Sequence, residues 1–429
     1  MIKLYVKHKS RIRTSVVLMS KFFVGQGLIQ LTTLIIGIFI LRALSKVEYA
    51  QYSMALAFQA TSQMFIEFGF AGAIIALVGT RVNDKRVLGE YIVAGMSYRN
   101  KLFIIVSIVC CICYPILARN QHWPWSVILL LLGSIITNSY FSGWISYYKP
   151  PFQIHRKLGT IYKLEVAGNI LRGIATYLAY LCKVLTSSVA SYIVSALMLF
   201  NGLIYKRLAR EYVDEPERPS AHTKKEMLAY IKPVIPGMVF AAFQSQITIL
   251  IISVFGKTAH IAEIGALGRL SSLFSVLNIG ASIIVTPLIA RQPQSKLLKM
   301  FLLVFLMAAF GVLLLDLFGY FYPGVFLLLL GKNYYGLEPE VRLVIYDSGI
   351  VFLNTLVWNM NSARKWLYAW MPAVSIPGII LVQVFFIIKF DLSVSYNVLL
   401  MAIFVSTYAL LVRIIVSIYG FTRKQPATD

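Results

Sequence analysis

Apolar runs of about 20 residues recur along the whole chain, and this feature limits the possible fold more than any other. A bilayer core about 30 Å thick is crossed by about 20 apolar residues in a helix. The runs are unbroken rather than alternating, which is typical of helices and not of barrel strands, and a helix satisfies its own backbone polar groups. Only 13% of the residues are charged, about half the share found in soluble domains. The sequence therefore predicts an all-α polytopic membrane protein.

About twelve transmembrane helices are predicted from the apolar runs between charged or turn-rich gaps. They lie near 16–43, 49–79, 102–118, 126–148, 164–182, 186–205, 233–254, 263–290, 298–321, 343–360, 371–388 and 396–418. The segment 322–342 is either a re-entrant piece or a short outer helix that is capped by Gly331.

The basic residues are distributed unevenly between the two sides of these spans. With the N-terminus inside, 28 of the 40 Lys and Arg residues fall in cytoplasmic segments, 7 fall outside and 5 lie within spans. The positive-inside rule therefore favours cytoplasmic N- and C-termini. This bias accounts for the net charge of +23 through orientation and contact with anionic lipid headgroups, so no binding to nucleic acid is expected.

The chain is predicted to contain two halves of six helices each. The longest cytoplasmic gap lies near the middle, so we expect an N-terminal bundle at 1–205, a linker at 206–231 and a C-terminal bundle at 232–429. An offset of 211 positions aligns Lys21 with Lys232, Lys46 with Lys257 and Gly69 with Gly280. Because six spans separate the copies, the halves should point the same way, related by an axis along the membrane normal, with a central cavity between them.

The first two spans carry a family resemblance. The sequence ILRALSKVEYAQYSMALAFQATSQMFIEFGFAGAII resembles the opening hairpin of polysaccharide flippases in the multidrug/oligosaccharidyl-lipid/polysaccharide exporter superfamily, with Leu41–Arg42, Glu48–Tyr49, Tyr52, Gly69 and Arg81 as its landmarks. The segments VFGKTAHIAEIGALGRL and LGKNYYG are similar to the second half of such proteins. The resemblance implies two six-helix bundles, no cofactor, and export of undecaprenyl-pyrophosphate-linked sugar repeat units for O-antigen or exopolysaccharide assembly at the bacterial inner membrane.

Polar residues inside spans are the candidates for a cavity that receives this substrate, because charge at bilayer depth is costly and marks a pathway. Arg172 lies near the centre of the fifth span, and its guanidinium fork suits pyrophosphate oxygens. The alternative is pairing with a buried acid such as Glu165. The other residues assigned to the cavity are Arg269, Gln59, Gln63, Lys21, Gln26 and Gln30. For Lys21 and Arg269 the alternative is a position at the membrane interface.

Gln59, Gln63 and Glu67 recur every four residues, so they form one polar stripe that should face the cavity and not lipid. Three acids within spans, Glu67, Asp316 and Asp347, are candidates for coupling transport to H⁺ or Na⁺, since a carboxylate at this depth needs a proton or a cation. The alternative for Asp316 and Asp347 is a position at the wet outer ends of their helices.

Two other functions fit parts of the sequence. A cation-coupled drug antiporter would share the fold, but its cavity should be acidic, whereas the deepest charge here is an arginine. A membrane polysaccharide polymerase or ligase needs a sizeable polar loop, and the outer gaps are short, the five histidines are scattered and no D-x-D motif occurs. The protein is therefore predicted not to be an enzyme.

The expected partners follow from the predicted transport function. They are the lipid-linked oligosaccharide itself, anionic membrane lipids, and the polysaccharide polymerase with its chain-length machinery. A monomer is expected. The four cysteines have no His or acidic neighbour in sequence that would complete a metal site, so no metal is expected.

Overall fold

The computed structural model describes residues 25–79, 81 and 84–422. Within these ranges the chain forms seventeen α-helices and no strand. Those of the first part are α1 (described over Gly25–Ala43), α2 (Lys46–Glu67), α3 (Phe70–Val78), α4 (Lys85–Asn120), α5 (Trp125–Tyr148), α6 (Pro150–Ile154), α7 (Leu158–Leu181), α8 (Ser187–Ala209), α9 (Ala221–Ile231), α10 (Ile235–Gln244) and α11 (Ile247–Phe255). The others are α12 (Thr258–Ala290), α13 (Gln294–Phe321), α14 (Pro323–Leu330), α15 (Glu338–Ala363), α16 (Trp370–Lys389) and α17 (Ser395–Thr422).

Eleven segments of the described chain are long and apolar enough to cross a membrane. Three of them each join two helices: α2 with α3, α5 with α6, and α9 with α10. The helix α7 is 24 residues long but carries Lys163, Glu165 and Arg172, which lower its hydropathy. With α7 the segments agree with the prediction of about twelve transmembrane helices. The all-α polytopic fold class is confirmed.

The structure adjusts several predicted ends. The third predicted span starts at 102, whereas α4 starts at Lys85, so residues assigned to a cytoplasmic loop belong to the helix. The seventh predicted span is divided into α10 and α11 at Ser245 and Gln246. The helix α14 ends at Gly331, which has φ 98°, so the segment after α13 contains the short capped helix.

Local sequence explains how the second span begins and breaks. The hydroxyl of Ser45 accepts the backbone N–H of Glu48, while the Glu48 carboxylate accepts the backbone N–H of Ser45, which forms a capping box at the start of α2. Phe68 and Gly69 both have positive φ, 37° and 72°, and this pair separates α2 from α3. A glycine tolerates this conformation at little cost.

The described residues form two compact units, one ending at Val254 and the other beginning at Phe255. The predicted division into bundles at 1–205 and 232–429 with a linker between them stays a prediction. In the first unit, α5 packs closely on α8, and α2 packs on α4, α5 and α8. Small residues permit the close approach of α5 and α8: Gly133 faces the Tyr192 hydroxyl, and Gly202 faces Trp144.

The second unit is organised around α15, which packs on α12, α13 and α17. Gly319 of α13 lies against Ile345 of α15, and Gly349 of α15 lies against Val312 of α13. The other sides of α13 are apolar and exposed, as Leu306, Met307 and Phe310 illustrate, which fits a helix that faces lipid on most sides.

Candidate functional site

The helix α7 holds Arg172 against α2. An Nη group of Arg172 donates to the hydroxyl of Tyr52 over 2.9 Å, and Tyr52 is fully buried. The Nε of Arg172 is buried and has no hydrogen-bond partner among the described residues. One Nη group of the Arg172 guanidinium is therefore held by Tyr52, its Nε donor is unsatisfied in this conformation, and the side chain as a whole is half-buried.

The alternative pairing of Arg172 with Glu165 does not occur in this structure. Glu165 instead accepts from the Lys149 ammonium group at 2.5 Å. The helix α7 packs on α8 and is hydrogen-bonded to α1, because the Asn169 amide donates to the hydroxyls of Thr32 and Thr33. The arginine is thus carried by a helix that is hydrogen-bonded to its neighbour within the bilayer-spanning region.

Gln59 takes part in helix packing. Its side chain is 4% exposed, and its amide donates to Ser191 of α8 over 3.0 Å. The hydroxyls of Ser191 and Ser134, on α8 and α5, lie 2.7 Å apart. This polar string joins α2, α8 and α5, so the amide of Gln59 is used between helices in this conformation, and its assignment to a cavity stays a prediction.

Gln63 and Glu67 have different neighbours from Gln59, although the three residues belong to one predicted stripe. The Gln63 amide donates to the Glu67 carboxylate over 3.2 Å, and the Ser146 hydroxyl of α5 donates to the same oxygen. Both Gln63 and Glu67 are half-buried. The stripe therefore divides into a packed end at Gln59 and a hydrogen-bonded acid at Glu67.

Arg99 is a buried charge that the sequence analysis missed. Arg99 precedes the third predicted span, at 102–118, and so falls in a predicted cytoplasmic segment. In the structure it lies inside α4 and is 1% exposed. An Nη group donates to the backbone carbonyls of Ser139 and Tyr140 on α5, at 2.5 and 2.6 Å. The charge of Glu67 is near enough to attract it. The apolar and small residues at Leu88–Met96 could have signalled that the helix starts before Arg99.

The backbone of α5 makes room for this arginine at Gly143. A side chain at this position would collide with the Arg99 guanidinium group. The guanidinium also lies 5.9 Å from the centre of the Tyr140 ring. Arg99 is fully enclosed in the contact between α4 and α5, where its Nε is also buried without a hydrogen-bond partner among the described residues, whereas the side chain of Arg172 is only half-buried.

The remaining predicted residues of the first unit lie on α1. Gln26 and Gln30 are half-buried there, one turn apart. Lys21 lies outside the described residues. Their assignment to a cavity stays a prediction.

In the second unit, Arg269 is half-buried on α12. Asp347 of α15 is hydrogen-bonded by Ser406 of α17. Asp316 of α13 lies beside Gly349 of α15. One carboxylate oxygen of each aspartate is buried without a hydrogen-bond partner in the described part of the chain, so both acids retain unused acceptor capacity.

Arg413, one of the five basic residues that the sequence places within spans, is used for packing in this unit. Arg413 of α17 donates to the backbone carbonyl of Asn354 over 2.8 Å and lies 5.0 Å from the Trp358 ring centre.

Across the described residues, no group of three or more His, Cys, Asp or Glu side chains is arranged to hold a metal ion.

The chain matches a known protein family by sequence. A family model described as polysaccharide biosynthesis protein matches residues 19–293. No curated protein matches the chain by sequence.

Solved structures share the fold at low identity. The lipid II flippase MurJ in an inward closed conformation has a TM-score of 0.66 at 14% identity, covering 92% of this chain and 89% of its own. A eukaryotic MATE transporter, AtDTX14, has a TM-score of 0.65 at 12% identity, covering 95% and 96%. A MOP superfamily transporter from Pyrococcus furiosus has a TM-score of 0.58 at 14% identity, covering 95% and 96%. The resemblance seen in the first hairpin is confirmed at the level of the family: this chain belongs to the polysaccharide biosynthesis protein family.

Proposed function

We propose that the protein is a flippase that moves undecaprenyl-pyrophosphate-linked oligosaccharide repeat units from the inner to the outer leaflet of the bacterial cytoplasmic membrane. The product is used for surface polysaccharide such as O-antigen or exopolysaccharide. Membership of the polysaccharide biosynthesis family and a fold shared with a lipid II flippase support this function. In this proposal both termini are cytoplasmic, and the protein acts as a monomer without catalysing a reaction.

Arg172 is the observation that carries the proposal. A pyrophosphate needs charge-assisted donors in a place where the bilayer would otherwise reject it. Tyr52 fixes one side of the Arg172 guanidinium group and leaves Nε without a protein partner among the described residues. The planar fork of arginine matches phosphate oxygens better than an ammonium group does. Arg172 therefore acts as the headgroup anchor, while Arg99 holds α4 against α5.

The proposed cavity has further polar residues besides Arg172. Its polar lining comprises Gln26, Gln30, Gln59, Gln63, Lys21 and Arg269. The candidate acids for ion coupling are Glu67, Asp316 and Asp347, whose carboxylates lie at bilayer depth. The prenyl tail stays in lipid during transport, because the protein has no need to enclose an apolar chain that the bilayer already dissolves. A polymerase with its chain-length machinery would take over the delivered unit.

A drug antiporter is the second function compatible with the fold, since MATE transporters share it. Cationic cargo requires an acidic, unoccupied carboxylate at the binding position. In the first unit, Glu67 already accepts two hydrogen bonds, while the Nε donor of Arg172 has no partner among the described residues. This balance favours an anionic headgroup over a cationic drug.

A complementation experiment tests the flippase proposal. A strain lacking the protein should accumulate lipid-linked repeat units inside and lose surface polysaccharide, and the native gene should restore both. The Arg172→Ala variant should insert normally but fail to restore surface polysaccharide. Arg86→Ala is the matched control, because the Arg86 side chain is 89% exposed and pairs only loosely with Asp214. Full complementation by Arg172→Ala would refute the assignment of Arg172 to the binding site. Unchanged surface polysaccharide in the deletion strain would refute the flippase function.

A further inference from the structure

The second unit contains a cavity whose lining residues, apart from the ion-coupling candidate Asp316, have no part in the proposed transport pathway. It has a volume of about 460 Å³, which lies within the range of about 300–1,000 Å³ usual for small-ligand sites. Residues of α13, α15 and the first turn of α17 line it. Those that matter for its chemistry are Asp316, Tyr320, Arg342, Tyr346 and Tyr396.

Two opposite charges line this cavity without neutralising each other. In the described chain no ion pair joins Asp316 to Arg342, and one oxygen of Asp316 is buried without a hydrogen-bond partner. The Arg342 guanidinium instead lies 4.8 Å from the centre of the Tyr320 ring. Asp316 is half-buried and lines the cavity, so the cavity has a carboxylate acceptor on one wall and the Arg342 donors on another.

Aromatic surface lies between the two charges. The side chains of Tyr346 and Tyr396 are 47% and 39% exposed, and both line the cavity. The face of an aromatic ring is electron-rich and attracts weakly positive C–H groups. A ligand that fits must therefore combine an apolar C–H face, hydroxyl donors for Asp316 and acceptor oxygens for Arg342.

The two charges lie at different depths. Asp316 lies beside Gly349, which follows Arg342 by seven residues on α15, or roughly 10 Å at 1.5 Å per residue. Arg342 is near the start of α15 and so near the membrane surface. A zwitterionic phospholipid carries its phosphate nearer the bilayer core than its amine, so its headgroup would need the cationic side chain deeper than the acid. The observed order is the reverse.

We infer that this cavity of the second unit binds a saccharide, with a sugar ring against Tyr346 and Tyr396, hydroxyls donating to Asp316 and a ring or carboxylate oxygen accepting from Arg342. The inference rests on the proposed function, because a glycan delivered to the outer side supplies such a sugar at this end of the helices. The site then retains part of the glycan after its headgroup has left Arg172.

The test uses the purified full-length protein in lipid nanodiscs and three probes: glucose, N-acetylglucosamine and glucuronic acid. Saturation-transfer NMR should detect ring protons of at least one sugar in contact with the protein. Tyr346→Ala and Asp316→Asn should each weaken the binding of this sugar by about tenfold or more, as loss of a central contact does. Tyr322→Ala is the matched control. Tyr322 is an exposed tyrosine directly after the last residue of α13, and it does not line the cavity.

Tyr346→Leu provides a second variant that keeps most of the volume, and it should also lose the signal because the ring face is gone. No signal from any of the three sugars would overturn the inference, as would equal signals in the native protein and the cavity variants. Phospholipid that co-purifies in an Asp316- and Arg342-dependent way, without sugar binding, would assign the cavity to a lipid headgroup instead. Arg172→Ala should keep sugar binding, so failure of this site and failure of the flippase proposal give different results.

Discussion

Arg99 and Arg172 are both arginines at bilayer depth in the first unit, and their contacts predict opposite consequences for removal. In Arg99→Ala two charge-assisted hydrogen bonds to the Ser139 and Tyr140 carbonyls are lost, worth about 1.5–3 kcal/mol each. The carbonyls belong to a helix and keep their backbone partners, and the cost of burying the charge is relieved, so these effects offset part of the loss. A cavity at a site that is 1% exposed adds to the cost. We expect a net loss of about 2–4 kcal/mol.

The assay is the free energy of unfolding in mixed micelles titrated with SDS, compared among Arg99→Ala, Arg172→Ala and the exposed control Arg86→Ala. Arg172 makes one charge-assisted hydrogen bond, to the Tyr52 hydroxyl, and its side chain is only half-buried, so its removal should cost about 1.5 kcal/mol while transport is abolished. Arg86→Ala should change neither property measurably. An unfolding free energy of Arg99→Ala equal to that of the native protein would refute the assignment of Arg99 to packing, and so would a loss for Arg172→Ala as large as for Arg99→Ala.

Three further predictions concern single contacts. Gly143→Ala should destabilise the native protein, because its new side chain meets the Arg99 guanidinium, and should cost clearly less in an Arg99→Ala background; equal costs in a double-mutant cycle would contradict this contact. Gly331→Ala should cost about 1–3 kcal/mol because φ 98° with ψ 172° is a region open almost only to glycine, whereas an unchanged unfolding free energy would argue against that conformation. Gln59→Leu should lower stability by about 1 kcal/mol through the lost bond to Ser191 and leave transport nearly intact; a transport defect at native stability would return Gln59 to the cavity.

The spans were predictable because a transmembrane helix is specified locally. Each segment satisfies its own backbone hydrogen bonds and meets the bilayer directly, so about 20 apolar residues suffice to identify it. The span predicted at 298–321 corresponds to Gln294–Phe321, and Gly331 ends the short helix that follows. The helix α4 was located but started too late, since its first turns carry charges that resemble a loop.

The family was also accessible from sequence, because the landmarks of the first hairpin are local as well. The pairing of Ser45 with Glu48 that starts α2 lies within four consecutive residues. Such signals depend only on neighbours along the chain, and no information about other helices is needed to interpret them.

The site depended on which helix faces which, and this only the tertiary structure decided. Gln59 and Glu67 share one stripe in sequence, yet Gln59 meets Ser191 of α8 and Glu67 meets Ser146 of α5. Glu165 forms an ion pair with Lys149 and not with Arg172. The partner of a side chain at bilayer depth is often on another helix, more than a hundred residues away in sequence. Hydropathy does not identify that partner. The sequence by itself therefore determined the spans and the family, whereas packing between helices determined that Arg99 is fully enclosed and that Arg172 is only half-buried.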